Sequence, residues 1–423
     1  MLANQGSVAR SDEPKRQRPV VGGGNFSNHE PTQTSLLMRL YSVALAVLTL
    51  LLAASPGWAR GQAPPDTAAL SPSMQAFAAD LDSLRQAHRI PGLAVAVVRD
   101  QSVAWSAGYG SSHFDTDDGE EYVSVTPDTP FWIASVTKPF LGLLFLKLDG
   151  EAPVRLEDRI NDVPGWDGFC SWLTGSEIIF GQDLRCGASI TIRNILRHRV
   201  QGTPGTDFSY NPIMYSRLSR YVEHAYGNPP GAAEGQHNTM AQLVEEHILA
   251  PAGMTRTMAS QWQREKAIVF FDMAQGYEAE KGGYVEQNRP GRHLAGGAGI
   301  VSTTHDLARF DIALDGGELA PKAIMDTLFS PPDLPNGTTS PYAYGWYVQD
   351  YRGERLVWHA GWDEKAGFSA LYLKVPGRDL TLILLANSEG LWWGNPLDQA
   401  AVHESPFAQA FLERLVLEGE GAR

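Results

Sequence analysis

Ser135 and Lys138 stand three residues apart in the segment Phe131 to Phe140 (FWIASVTKPF), which runs into an almost wholly apolar stretch, Leu141 to Leu148. A helix that is apolar on every side belongs in a protein core. The spacing therefore predicts a serine at the N-terminal end of a buried helix, with a lysine one turn further along the same face. Such a pair suits nucleophilic catalysis. A serine hydroxyl is unreactive near neutrality until a base takes its proton. A lysine, with an ordinary pKa of about 10.4, can be that base only where burial or neighbouring charge favours the neutral amine. The helix N-terminus also favours negative charge developing on an attacked carbonyl oxygen. Lysine is scarce here, 8 against 26 arginines, so a lysine in such a motif is informative; the four-residue string alone is weak, and its setting strengthens it.

The elements that must hold this pair lie towards both ends of the chain. Met74 to His88 places Phe77, Leu81 and Leu84 at helical spacing. Leu93 to Val98 and Ser102 to Gly108 are strand-like runs split by Arg99-Asp100-Gln101, a hairpin pattern. Ala366 to Lys374 and Leu380 to Ala386 straddle Pro376-Gly377-Arg378-Asp379 and read as a second hairpin, and Phe407 to Leu417 as a closing amphipathic helix. The expected fold class is α+β: one antiparallel sheet flanked by N- and C-terminal helices, with a large, mostly helical insertion. The sheet part covers about 72–150 and 291–418, and the helical part about 151–290, with helices over Ser189–Arg197, Tyr215–His224 and Met240–Ala250. No fixed-period repeat, G-x-S-x-G elbow, dinucleotide-binding glycine motif or phosphate-binding loop occurs, which weakens α/β-hydrolase and nucleotide-enzyme readings.

The 423 residues are 43% hydrophobic and 19% charged, enough apolar material for a sizeable core and too much for wholesale disorder. The net charge of −14 argues against a nucleic-acid partner, which calls for basic stripes. Leu40 to Ala54 is an apolar run preceded by Arg39 and followed by Ser55-Pro56-Gly57-Trp58-Ala59, the three-part pattern of a secretory signal. Residues 38–63 are thus expected to be a signal peptide and cleavage region, cut after Ala59 or Ala63. Residues 1–37 are then a disordered lead or a misassigned start, and 64–423 the working domain, periplasmic or secreted. An uncleaved anchor is the alternative, disfavoured because the run is short for a span of about 20 residues. Residues 1–63 carry six basic and three acidic residues, so their removal leaves −17. The only cysteines, Cys170 and Cys186, form an isolated close pair. In an oxidising compartment that favours a disulfide over a metal site, two unpaired thiols being the alternative, and no CxxC or HExxH pattern suggests a metal.

At several further places the chain resembles the serine β-lactamase and penicillin-binding-protein superfamily, most closely the branch holding class C β-lactamases, secreted esterases, DD-peptidases and D-aminopeptidases. Pro204-Gly205-Thr206-Asp207-Phe208-Ser209-Tyr210 looks like that branch's P-G-x-x-F-x-Y-S-N segment, and Trp358-His359-Ala360-Gly361, followed by Gly367-Phe368-Ser369, like its H-x-G variant of K-T-G. Leu249 to Met254 resembles P-L-G-M, and Ala295 to Phe310 resembles G-G-x-x-S-T-x-x-D-L-A-R-F. The resemblance runs from about residue 72 to about 418 and implies a β-lactamase-like fold. It makes Ser135 the acyl-accepting nucleophile, Lys138 its base, Tyr210 a second proton carrier and His359 the counterpart of the K-T-G lysine. It implies Gly361 and Trp362 at the substrate, the N–H groups of Ser135 and Trp362 as oxyanion donors, and no cofactor. Gly296, Gly297 and Asp306 are read as serving backbone geometry and a helix cap. A core tyrosine and a buried structural histidine are the alternatives for Tyr210 and His359.

The chain also departs from the pattern. Tyr210-Asn211-Pro212 stands where the family has Tyr-Ser-Asn, leaving Asn211 as the candidate substrate contact one residue early, and His198-Arg199-Val200-Gln201-Gly202 stands for H-T-S-G-L. With His359-Ala360 in place of Lys-Thr, these changes weigh against efficient β-lactam hydrolysis. The expected substrates are small esters, β-lactams or peptides, with no nucleic acid and no membrane beyond the signal segment. A carboxylesterase-like serine hydrolase leads, and a β-lactamase, D-amino-acid peptidase or DD-carboxypeptidase follows. A non-catalytic scaffold is disfavoured by the retention of Ser135, Lys138 and Tyr210. Tyr342, Tyr344, Trp346, Trp362, Trp392 and Trp393 are candidates for an apolar acyl pocket, or for core.

Overall fold

A computed structural model describes residues 67–417 apart from 115–121, 152, 230–231, 233–237 and 292. The expected lead and signal segments, 1–37 and 38–63, lie outside the described residues. Among those described, no helix is long and apolar enough to cross a membrane.

Eleven strands occur among the described residues: β1 (Gly92–Arg99), β2 (Ser102–Phe114), β3 (Tyr122–Ser124), β4 (Phe131–Trp132), β5 (Tyr277–Glu280), β6 (Gly283–Glu286), β7 (Val301–Ser302), β8 (Tyr347–Tyr351), β9 (Glu354–Asp363), β10 (Phe368–Val375) and β11 (Leu380–Ala386). Seven of them form one antiparallel sheet in the order β3-β2-β1-β11-β10-β9-β8. Both expected hairpins are present. The first and last strands of the sheet in chain order, β1 and β11, lie side by side with Leu93 opposite Ala386, so the two ends of the chain build one sheet.

Side-chain alternation along a strand sorts β1 between two cores. Leu93, Val95 and Val97 face one apolar cluster, and Ala94, Ala96 and Val98 the other. Covered on both faces, β10 and β11 are buried along their whole length. The first cluster is closed by helices α1 (Pro72–Ala87) and, from the far end of the chain, Pro406–Phe411, where Phe77 packs against Phe411 with ring centroids 5.9 Å apart. Ser71 caps α1 by accepting the Met74 N–H, with Pro72 in the first turn, where its missing N–H costs nothing.

The cluster on the opposite face, where α4 (Thr304–Asp315) packs directly on the sheet, also takes in α2 (Thr137–Leu148) and α3 (Trp166–Gly175). In α2, ten of twelve residues are buried, including Lys138, which is why its sequence shows no polar face. The middle of the chain is less helical than its sequence suggests. Of the three expected helices, Ser189–Arg197 shrinks to Ile192–Leu196 and Tyr215–His224 to Leu218–Ala225. Met240–Ala250 divides into Thr239–Val244 and a π-helical turn, Glu245–Leu249. Long-range bonds set these limits: the Ile190 N–H donates to Asn161 Oδ1, and Thr191 bridges Arg159 before capping the next helix. The β5–β6 hairpin is an element the sequence did not suggest, because its strands are only four residues long and mostly exposed.

On the sheet face beside α4, Lys374 is buried between Asp311 and Asp315, and Tyr372 donates to Asp311. The two carboxylates hold the Lys374 ammonium above its ordinary range against the opposing effect of burial. Removing one member of a buried ionic group leaves uncompensated charge. Lys374→Met is therefore expected to lose about 3–5 kcal/mol of stability in urea unfolding, and an unchanged midpoint would contradict this account.

Candidate active site

Ser135 begins where a short turn redirects the chain. Ala134, with φ of 45°, occupies the left-handed region at a cost of about 1–2 kcal/mol for a residue with a Cβ. It opens a 3₁₀ turn, Ala134–Val136, that feeds directly into α2. Pairing of β4 with β7 holds this turn against residues 297–302, and the Ile133 N–H donates to Ile300 O. Strand β9 presses on the same turn from the sheet: a Cβ at Gly361 would lie 2.3 Å from Ile133 O, so no other residue fits without moving the turn.

The Lys138 amine is 2.8 Å from Ser135 Oγ and donates to Gly297 O, also at 2.8 Å. Lys138 is 0% exposed, whereas Ser135 is only partly buried. Burial pushes the Lys138 pKa well below its ordinary value, and among the described residues no carboxylate pairs with it. The neutral amine can thus give an N–H to Gly297 O while directing its lone pair at the Ser135 hydroxyl. Gly297, read from sequence as a backbone-geometry residue, supplies this acceptor through its main chain, which has no side-chain signature.

Tyr210 brings its ring 5.1 Å from Lys138 Nζ. Burial drives its pKa upward, partly offset by a hydrogen bond to the Ser135 side chain, so the phenol is protonated at neutral pH. His198 holds the Tyr210 strand of chain in place. Its carbonyl accepts from Ser209 N–H, its Nδ1 accepts from Asn211 N–H at 3.0 Å, and its ring lies 4.3 Å from that of Tyr210. Sequence reasoning noted His198 only as part of a departing motif.

Two expected site residues sit elsewhere. Asn211 is fully buried, its Oδ1 accepting from Met214 N–H and its Nδ2 donating to Phe180 O; it braces the loop and does not line the cleft. His359 is 1% exposed and also absent from the cleft wall. Its Nδ1 lies 2.7 Å from Ala360 O, which can only accept, so Nδ1 carries the proton and Nε2 accepts from the Tyr342 hydroxyl at 3.0 Å. Burial first, then the nearby Lys138, lower its pKa well below the ordinary value. The position matching the K-T-G lysine therefore holds a neutral ring under the floor of the site.

Above Ser135 opens a cleft of about 450 Å³, lined by Trp132, Phe180, Tyr210, Trp362, Trp392 and smaller residues. Trp362 stacks on Trp392 with centroids 5.2 Å apart and donates from Nε1 to Glu389. Of the other aromatic candidates, Tyr342, Tyr344 and Trp346 are core. Among the described residues no Lys or Arg lines the cleft, whose titratable wall residues besides Tyr210 are His293 and Asp363. No group of three or more His, Cys, Asp or Glu among them is placed to hold a metal. Asp306 is buried away from the cleft, accepting from Arg256 N–H and Thr257 Oγ1, while the cap of α4 is Thr303.

His198→Leu leaves the buried Asn211 N–H without an acceptor and is expected to cost about 1–3 kcal/mol by chemical denaturation. His198→Asn keeps an acceptor and tolerates the left-handed φ of 51° at this position, so it should cost clearly less; equal losses would count against the clamp.

The chain is similar to several known proteins. An unguisins hydrolase from Aspergillus campestris is 26% identical over 355 residues, covering 75% of this chain and 62% of that protein. A D-aminopeptidase from Brucella canis is 27% identical over 310 residues, covering 69% and 55%. The chain thus spans less than two thirds of the length of these relatives. In fold it is similar to a simvastatin synthase variant from Aspergillus terreus (TM-score 0.62, 16% identity, 85% of this chain and 98% of that one). It is likewise similar to the octameric penicillin-binding protein homologue from Pyrococcus abyssi (TM-score 0.60, 19% identity, 80% and 77%). The family model described as Beta-lactamase matches residues 77–404, a stretch that holds the sheet, the Ser135–Lys138 pair and the cleft, and the chain belongs to that family of serine hydrolases.

Proposed function

We propose that this chain is an exported hydrolase that cleaves an uncharged ester or amide through an acyl-enzyme on Ser135. The observation that carries the reading is the fully buried Lys138 amine 2.8 Å from Ser135 Oγ, its pKa pushed well below the ordinary value by burial. In the first step Oγ attacks the substrate carbonyl carbon as its proton passes to Lys138. The resulting oxyanion is met by the N–H groups of Ser135 and Trp362. The protonated Tyr210 hydroxyl then gives its proton to the leaving group as the carbon–heteroatom bond breaks, and is reprotonated from Lys138. Water attacks the acyl-enzyme by the same route in reverse, releasing the acid and restoring Ser135.

The substrate class follows from the cleft walls. β-Lactams and peptides with a C-terminal carboxylate call for a fixed cation near the scissile bond, and this position holds the neutral, buried His359. Asp363 on the cleft wall supports a second reading, an amide whose acyl part carries a free amine, as the name of the D-aminopeptidase relative suggests for that protein. Export is supported by the signal-like pattern of residues 38–63 and by the Cys170–Cys186 disulfide.

Exposure to a fluorophosphonate should give one covalent adduct by intact mass, absent in Ser135→Ala. A short-chain p-nitrophenyl ester should be cleaved and nitrocefin left nearly untouched; fast nitrocefin turnover would move the chain to the β-lactamase side, and D-alanine p-nitroanilide tests the amine-bearing amide. Because the Lys138 pKa is depressed, the active neutral form persists as pH falls until that lowered pKa is crossed. The acid limb of kcat/KM should therefore lie well below 10.5, and Lys138→Met should lower kcat/KM by about 10²–10⁴-fold.

A further inference from the structure

The disulfide between Cys170 on α3 and Cys186 closes a segment whose turn Ile179–Gly181 sends Phe180 into the cleft above Ser135. Three contacts fix that turn. Gly181 presses against α3 so closely that a Cβ would lie 2.1 Å from Leu173 O. Leu184 bridges Gln201, whose Nε2 donates to Gln182 O. The buried Asn211 Nδ2 donates to Phe180 O at 2.8 Å, joining the turn to the residue that follows Tyr210. Such a wall is held from both sides, by the disulfide behind it and by the catalytic loop beneath it.

The Trp362–Trp392 stack and Trp132 line the same cleft as Phe180. The same disulfide-closed segment exposes two more large apolar side chains, Trp172 at 54% and Ile179 at 62%. We propose that the segment 170–186 is the specificity element of this enzyme, with Phe180 and the Trp362–Trp392 pair gripping a bulky apolar, preferably aromatic, group next to the scissile bond. The inference rests on the acyl-enzyme reading of the same cleft. It assigns the disulfide a part in substrate choice, by keeping Phe180 in the cleft wall it shares with the tryptophans.

Two ester series test it on the full chain. One varies the acyl part, p-nitrophenyl acetate against p-nitrophenyl phenylacetate; the other varies the alcohol, methyl against benzyl butyrate. The native protein should prefer the aryl member of at least one series by about tenfold or more in kcat/KM, the scale on which an apolar pocket discriminates. Phe180→Ala, and separately Cys170→Ser with Cys186→Ser, should bring that ratio towards one, while Phe180→Trp keeps it. Labelling of Ser135 by the small diisopropyl fluorophosphate should persist in all three, showing that the nucleophile is intact. Native labelling with no aryl preference, or a preference that survives Phe180→Ala, overturns this inference alone. No label and no ester turnover in the native protein overturns the acyl-enzyme reading along with it.

Discussion

A lysine side chain buried without a counter-charge is the constraint on which the rest of this structure depends. Held as an ammonium, Lys138 would forfeit several kcal/mol of solvation with nothing to repay it, so burial pushes its pKa well below the ordinary value. The contrast with Lys374 shows that burial alone does not decide the matter. Both lysines are withdrawn from water, yet Lys374 sits between Asp311 and Asp315 and its pKa is raised. Lys138 has a carbonyl, a hydroxyl and the rings of Tyr210 and Tyr215, at 5.1 and 5.4 Å. One residue type at one depth thus has its pKa raised in one place and lowered in the other, and the difference lies in two carboxylates.

Keeping the amine dry explains why α2 is apolar all round and why it sits between the sheet and the middle segment. It also explains how distant parts of the chain come to share one site. The β4–β7 pairing delivers Gly297 O to the amine, and the bare Gly361 lets β9 close on the nucleophile turn. Main-chain atoms make these contacts, so their geometry is set by the fold and not by rotamers.

The site was legible in the sequence to the extent that its signals are local. Serine and lysine at i and i+3, at the head of a helix with no polar face, can be read from spacing alone, and so can the apolar runs of β1, β10 and β11. Helix lengths in the middle were not legible, because bonds such as Ile190 N–H to Asn161 Oδ1 come from residues far off in sequence. The β5–β6 hairpin escaped because Tyr277–Glu280 and Gly283–Glu286 are only four residues each and mostly exposed, too short for alternation to mark a strand. Asn211 and His359 show a different limit. Each has a side chain able to hold a substrate, and only its tertiary surroundings reveal that the hydrogen-bonding groups are already engaged by Met214, Phe180, Tyr342 and Ala360.

The same surroundings separate the chemical core from the recognition surface. Ser135 and Lys138 belong to a turn and the helix it feeds, and Tyr210 is braced by His198 and Asn211. None of these supports depends on what the substrate carries. The features that would read a substrate's charge or bulk lie on other elements: β9 with its Trp362 and Asp363, the loop bearing Trp392, and the disulfide-closed segment bearing Phe180. Replacing a cation by a neutral ring at His359 changes which groups the cleft can favour. A fold arranged in this way can keep one reaction while its substrates vary: the family match makes this chain a serine hydrolase, and selectivity lies with the walls of the cleft.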